Sequence, residues 1–269
     1  MSKKKIRYGF HLSIAGKAGV AGAVAEAESL GLGCFQIFAK SPRMWKPRNL
    51  SPKEVESFRA QRENLGGIPA VIHASYLVNL AAEGELWDKS VFSLADDLSK
   101  AEALGVEYVV VHPGSGSHQR IRQGALKALS LAGGKTKLLL ENTAGGGEKA
   151  GNRFESLAEL VKDTELGVCF DTCHAFAAGY PIHQDPKGVI KELDEVVGLE
   201  RIPVIHLNDS VGAFGGRVDH HAHLMEGKIG LALKQVFTDS RLAEKLFILE
   251  TPRSEQEDAH NLGVLRSWL

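Results

Sequence analysis

The sequence holds 11 His and 33 Asp plus Glu residues. The informative ones fall at one kind of place, the polar end of a short apolar run. Reading along the chain, such ends carry His11, Lys40, His73 with Tyr76, and His112. They continue with Glu141, Asp171 with His174, His206 with Asp209, and Glu250 with Arg253. A further cluster, Arg217-Val-Asp219-His220-His221-Ala-His223, follows the seventh run. Taken singly, each residue has a plain structural use. A lone His packs and hydrogen-bonds, and a lone carboxylate caps the next helix. Taken together they do not, because gathering four carboxylates and several imidazoles at one place is costly without a compensating cation. Carboxylate oxygen and imidazole nitrogen are ligands for zinc, manganese or iron, with no thiolate required.

The number of these side chains implies more than one ion. Glu141, Asp171, His206 and Glu250 suffice for one. His73 and His112 suffice for a second, with Glu141 bridging. His174, with Asp219 and His221 from the long loop, suffices for a third. Three divalent ions would add six positive charges to a chain of net charge −1, against four ligand carboxylates. A pocket of that sign suits a phosphate diester and in-line displacement at phosphorus.

The elements that must position these groups are legible as a repeat. Eight apolar segments recur every ~30–40 residues, the period of a βα unit. They span Ile6–Ser13, Cys34–Lys40, Ala70–Tyr76, Tyr108–Ser115, Leu138–Ala144, Gly167–His174, Pro203–Ser210 and Phe247–Arg253. Runs such as Val109-Val110-Val111 and Leu138-Leu139-Leu140 are continuously apolar, as strands buried on both faces of a parallel sheet are. Helix signals lie between them. Ser51-Pro52-Lys53-Glu54 reads as a capping box with Pro at the first helical position. Leu94, Leu98, Ala101 and Leu104 form a stripe that Gly105 ends, and Gly31 and Gly198 mark similar stops. The pattern predicts an α/β fold, a single (β/α)8 TIM barrel over 1–269, with its active site at the carboxyl ends of the strands. A doubly wound sheet is disfavoured, since no Gly-rich nucleotide fingerprint follows the first strand.

Composition narrows the class. At 269 residues, 43% hydrophobic and 24% charged, the chain can bury a large core. No apolar run approaches the ~18–20 residues of a membrane span. The start, Met-Ser-Lys-Lys-Lys, is basic, but Ile6–Phe10 is too short for a signal segment. Cys34, Cys169 and Cys173 are too few for a disulfide framework, so buried thiols and a cytoplasmic location are expected. The near-zero charge excludes nucleic-acid binding through bulk positive charge, unless bound metals reverse the local field.

With these residues in place, the sequence resembles the endonuclease IV (deoxyribonuclease IV) family of apurinic/apyrimidinic-site nucleases, from about Tyr8 to Glu250. The likeness is carried, in order, by Gly-Phe-His11-Leu-Ser, His73-Ala-Ser-Tyr-Leu-Val-Asn-Leu and His112-Pro-Gly-Ser. It continues through Leu-Glu141-Asn-Thr-Ala-Gly, Cys-Phe-Asp171-Thr-Cys-His174, His206-Leu-Asn-Asp-Ser and Arg217-Val-Asp219-x-His221. The resemblance implies a TIM barrel with three Zn2+ per chain, with Mn or Fe able to substitute at one site. By position, the first zinc would take His73, His112 and Glu141. The second would take Glu141, Asp171, His206 and Glu250, and the third His174, Asp219 and His221. The implied activity is hydrolysis of the phosphodiester 5′ to an abasic site in base excision repair. That leaves a 3′-hydroxyl and a 5′ deoxyribose phosphate, with Glu141 the catalytic residue that bridges metals and orients the nucleophile. The implied partner is double-stranded DNA with abasic sites, met by a monomer without a membrane.

For DNA contacts, the loop Lys40–Arg48 mixes Lys40, Arg43, Lys46 and Arg48 with Met44 and Trp45. Lys40, Arg43 and Trp45 are expected to touch phosphates and wedge into the duplex; Tyr76 joins them by family likeness. The chain departs from the family pattern at His220, Ala222 and Met225, which bears on DNA contacts near the third ion. His118 is expected beside the ligands or facing solvent, and His183 and His260 on the solvated surface. Two other readings remain at this point. A sugar isomerase would use Glu141, Asp171, His206 and Glu250 around one metal, leaving five further ligands unexplained. A non-catalytic DNA-binding or zinc-buffering protein would bind without nicking.

Overall fold

Strands covered by helices must be apolar on both faces, and that is how the eight segments are used. The computed structural model describes residues 6–269; the basic start, Met1–Lys5, lies outside them. Seven parallel strands come first: β1 (Arg7–Leu12), β2 (Phe35–Phe38), β3 (Ala70–His73), β4 (Tyr108–Val111), β5 (Lys137–Glu141), β6 (Gly167–Asp171) and β7 (Val204–His206). Two short strands follow, β8 (Asp209–Ser210) and β9 (His221–Ala222), and then β10 (Leu246–Leu249) completes the set. The parallel strands close in the order β1-β10-β7-β6-β5-β4-β3-β2, while β8 and β9 pair antiparallel as a separate ribbon. This is a TIM barrel.

The helices lie between the strands: α1 (Gly19–Leu30), α2 (Pro52–Asn64), α3 (Gly84–Leu104), α4 (His118–Ala132) and α5 (Phe154–Val161). The second half adds α6 (Thr172–Ala178), α7 (Pro186–Val196), α8 (Ala232–Phe237) and α9 (Glu255–Trp268). Their ends obey the local code. Ser51 and Glu54 form the reciprocal capping box of α2, with Pro52 in the first turn. Gly31 and Gly105 close α1 and α3 in the left-handed conformation, where a Cβ would cost energy.

Two packing regions share the strands by alternation. Residues such as Phe35, Ile37, Ile72, Val109, Leu140, Phe170 and Phe247 belong to the large core beneath the helices. Their alternates, Cys34, Val71, Val110, Leu139, Cys169, Val204 and Ile248, form a second cluster that fills the barrel. In the first strand this alternate position is Gly9, where a Cβ would fall 1.7 Å from the Cys34 carbonyl oxygen. All three cysteines are free and buried. No helix of the described residues is long and apolar enough to cross a membrane.

The structure departs from the sequence reading at the strand ends. The second strand stops at Phe38 and the seventh at His206, short of the polar residues that the sequence reading includes. Asp209 and Ser210, read as the tail of the seventh strand, instead pair with Ala222 and His221. Asp209 pins the returning chain by accepting from the backbone N–H groups of Ser210, Gly227, Ile229 and Gly230.

Lys40 is the clearest correction. Expected on DNA, it is 2% exposed and buried. Its ammonium donates to Asp97 Oδ1 at 2.7 Å and to the Ser93 carbonyl at 2.9 Å, both on α3. The four-carbon stem folds inward because Asp97, itself buried, needs a counter-charge. Burial pushes the Asp97 carboxyl up to about 6 even with Lys40 beside it.

Lys40→Ala is therefore expected to destabilise the fold by ~3–5 kcal/mol, the cost of stranding one partner of a buried pair. The Asp97 pKa lies above the ~3.9 of an unfolded Asp, so the folded chain keeps a proton the unfolded one releases. The stability from this group accordingly declines as pH rises through that window. Urea melts should show a smaller Lys40→Ala penalty at pH 5 than at pH 8; equal penalties would contradict this account.

Candidate metal centre

A strand that sends one side chain into the barrel sends the next inward two residues later. Two residues beyond Cys34, Val71, Val110, Leu139, Cys169, Val204 and Ile248 stand Gln36, His73, His112, Glu141, Asp171, His206 and Glu250. Two beyond Gly9 stands His11. The apolar layer is thus capped by a polar layer with one member from every barrel strand. Six of these eight residues are the expected ligands His73, His112, Glu141, Asp171, His206 and Glu250. The other three come from nearby: His174 from the first turn of α6, His221 from β9, and Asp219 from the loop before it. The β8–β9 ribbon carries the last two over the barrel mouth.

The nine side chains meet in three groups: His73, His112 and Glu141; Glu141, Asp171, His206 and Glu250; and His174, Asp219 and His221. Ligand atoms within each group lie within 4.8 Å of one another. Glu141 joins the first two, with Oε2 at 3.2 Å from His73 Nε2 and 3.1 Å from His112 Nε2. Its Oε1 is 3.2 Å from His206 Nδ1. His206 Nδ1 also lies 3.0 Å from Glu250 Oε2. A fourth grouping puts Cys173 with Asp171 and His221. Burial pushes the Cys173 thiol up to about 12, so it stays uncharged and is a poorer ligand than the Asp219 carboxylate.

Each of these histidines except His112 has one ring nitrogen engaged away from the cluster. His73 Nδ1 donates to the Ala74 carbonyl at 2.7 Å and His174 Nδ1 to the Asn142 carbonyl at 2.8 Å. His221 Nδ1 faces the Glu250 carbonyl at 3.4 Å. These bonds fix which nitrogen of each ring faces the cluster and would offer its lone pair to a metal, as metal-ligating histidines require. Asn208 holds two carboxylate residues at once. Its Nδ2 donates to Asp171 Oδ2 at 2.7 Å and its Oδ1 accepts from the Glu250 N–H at 2.8 Å.

The donor set fits divalent ions such as zinc on a direct observation. His174 Nε2 and His221 Nε2 are buried and have no hydrogen-bond partner. Yet both lie close to Asp219 Oδ1, at 3.1 and 3.2 Å. Two ring nitrogens and a carboxylate oxygen converging on one buried point are what a cation satisfies. The electrostatics agree. Burial by itself would raise the Glu141 pKa, but the facing His112 and His206 hold it well below the carboxylate range. Burial opposes charge on both rings, yet Asp171, Asp219 and Glu141 raise His174, and Cys169, Glu250 and Glu141 raise His206, well above the imidazole range. Asp219 and its neighbours raise His221 to about 9 against burial. The cluster calls for positive charge and, without a metal, takes it as protons.

Residues 24–268 match the family described as xylose isomerase-like TIM barrel. Endonuclease 4 of Thermus thermophilus is 71% identical over 265 residues, covering 98% of each chain. A crystal structure of endonuclease IV from Thermus thermophilus superposes with a TM-score of 0.96 at 71% identity, over 97% of this chain and 98% of that one.

The chain belongs to the endonuclease IV family. It is a hydrolase of the nuclease type. A D-tagatose 3-epimerase-like protein shares the barrel at 21% identity, TM-score 0.68, covering 98% of this chain and 97% of that one; that likeness shows the fold alone.

Around the endonuclease's cluster lies a cleft of about 720 Å³ lined by Arg43, Tyr76, His112, His174, Asp219 and His220 among others. Arg43 and Tyr76 are exposed there, and the Tyr76 ring sits 5.6 Å from that of His73. Trp45 is half-buried in its loop, while Met44 is exposed. Lys40, as described, is turned inward to α3 and leaves the cleft's cation to Arg43. His118 bonds Glu159 and Ser156 away from the ligands, at 2.8 Å each. His183 is not a solvated surface residue: its ring packs on Phe176 and Phe214. Sequence reasoning missed Gln36, Asn142 and Asn208, since amides are not ligand types. Gln36 was reachable by counting two residues on from Cys34 along an inward-facing strand.

Because His174, His206 and His221 bind protons tightly in metal-free protein, and metals take neutral imidazole, the two compete. Zinc added to metal-free protein at pH 7 should release protons, and its affinity should fall as pH drops. Calorimetry in buffers of different ionisation enthalpy reads this directly. Heats independent of the buffer would refute it.

Proposed function

We propose that this endonuclease is zinc-dependent and acts on double-stranded DNA in base excision repair, cleaving the phosphodiester 5′ to an abasic site. The products would be a 3′-hydroxyl and a 5′ deoxyribose phosphate. The observation that carries the reading is the convergence of nine ligand-type side chains in three linked groups beside an open cleft. A single-metal isomerase has no use for His73, His112, His174, Asp219 and His221. In this reading three zinc ions would be held as grouped above, with Mn or Fe able to replace one. The whole chain, 1–269, would act as one catalytic domain, as a cytoplasmic monomer.

Zinc bound there would supply Lewis acidity and a water acidified to a pKa of ~7. The protein's own part is positioning. Glu141 is fully buried, so its two oxygens are held between two groups of ligands with no water to compete. It orients the attacking nucleophile at phosphorus. His174, Asp219 and His221 line the cleft, where the leaving 3′ oxygen would depart. Arg43 offers an exposed guanidinium to a phosphate, and Tyr76 an exposed ring to the sugar or a neighbouring base. The loop bearing Met44 and Trp45 supplies apolar surface to fill the duplex. An abasic nucleotide has no base to unstack, so extruding it into this cleft costs less than flipping an ordinary one.

A duplex with one abasic analogue should be nicked on its 5′ side by protein that carries zinc by elemental analysis, and not after chelation. Glu141→Gln should keep the fold and lower turnover by at least ~10³; turnover within tenfold of the parent would sink its role. Arg43→Ala should weaken DNA binding and reduce the slope of log affinity against log salt by ~1, at unchanged melting temperature. An unchanged slope would remove Arg43 from the phosphate contacts.

A further inference from the structure

Among the inward-facing polar residues at the barrel mouth, Gln36 is one that no step above uses. It is fully buried, and its amide touches three partners. Gln36 Nε2 is 2.6 Å from Glu250 Oε1 and 2.9 Å from His11 Nδ1, and Gln36 Oε1 is 2.9 Å from His206 Nε2.

The chemistry of the partners fixes the direction of every bond. A carboxylate only accepts, so the atom facing Glu250 is the amide nitrogen. The carbonyl oxygen therefore faces His206, and His206 Nε2 must carry the proton that it accepts. Once a metal ion displaces the second proton, the remaining nitrogen, His206 Nδ1, would turn a lone pair toward the ion between Glu141 and Glu250, whose oxygens lie at 3.2 and 3.0 Å. In the other tautomer two acceptors would face each other at Gln36, and a proton would occupy the ligand nitrogen. The second amide hydrogen points at His11 Nδ1, so one side chain braces three strands of the barrel rim.

We propose that Gln36 is a positioning residue, whose amide selects the Nε2–H tautomer of His206 and steers Glu250 so that both present lone pairs to the same ion. This rests on the metal-centre reading given above. Gln36 does not contact the ion or the DNA; it acts through His206 and Glu250.

Two variants test it. Gln36→Met keeps the length without hydrogen bonds. Gln36→Glu keeps the shape and still accepts from His206, but cannot donate to Glu250. Both should bind one of the zinc ions 10–100-fold more weakly in competition with a chromophoric chelator. They should also lower kcat on an abasic duplex with KM unchanged. Nitrogen-15 spectra of the loaded parent should show His206 protonated at Nε2, and Gln36→Met should lose that signal. Comparing thermal unfolding of the metal-free forms separates a packing role, which would lower stability and leave zinc affinity alone. If Gln36→Met does not fold, Gln36→Glu carries the test. Zinc affinity within threefold of the parent, or His206 protonated at Nδ1 in the loaded parent, overturns the proposal. A parent that binds no divalent ion fails the metal reading itself, and is told apart by that.

Discussion

Four carboxylates and five imidazoles form the three linked groups at the mouth of one barrel, and most of them are shut off from water. Charges so placed cannot be left to themselves. Moving an ion from water into such surroundings costs several kcal/mol even after relaxation. The structure answers with proximity of opposite kinds, so that Glu141 faces His73, His112, His174 and His206, while His206 faces Glu141, Asp171 and Glu250. The arrangement is electrostatically unfinished without further positive charge. That demand explains why the imidazoles draw protons and why two ring nitrogens converge on Asp219 Oδ1.

The barrel makes this concentration of charge tolerable. An apolar layer, from Cys34 round to Ile248, seals the interior below. The helices press on the opposite face of the same strands through the larger core. Rigid strands then carry most of the ligands, and only the third group depends on loop and ribbon. Precision of this kind is needed where several side chains must meet within a few ångströms. The β8–β9 ribbon extends that rigidity upward, because Asp209 ties its return through backbone N–H groups.

Around the ligands runs a set of neutral amides and carbonyls that decides where each proton sits. The Ala74 and Asn142 carbonyls and the side chains of Gln36 and Asn208 take no charge themselves. They remove rotational and tautomeric alternatives from the charged groups, which is how a metal centre is tuned without adding ligands. The outer cations are used differently. Lys40 is spent inside the fold on Asp97, whereas Arg43 stays in the cleft, although both come from one basic stretch of sequence.

Strand and helix placement was legible because it is written in local chemistry: continuous apolar runs, the Ser51–Glu54 box, and glycines at helix ends. That the nine His and carboxylate side chains come together in three groups was legible because such residues, at strand ends and in the long loop after the seventh run, have few other joint uses. A strand's period of two is local, so the inward positions of His11 and Gln36 could be counted from the sequence, although Gln36 was not singled out there. The sequence did not say what they face. Only the closed barrel decided that Gln36 meets His206, 170 residues away, or that Lys40 meets Asp97, 57 residues on. The same holds for Asp209, whose partners come from a loop that folds back across the mouth. Local patterns fix which way a side chain points; the partner it finds there depends on how distant segments close, and that is settled by packing and charge balance over the whole chain.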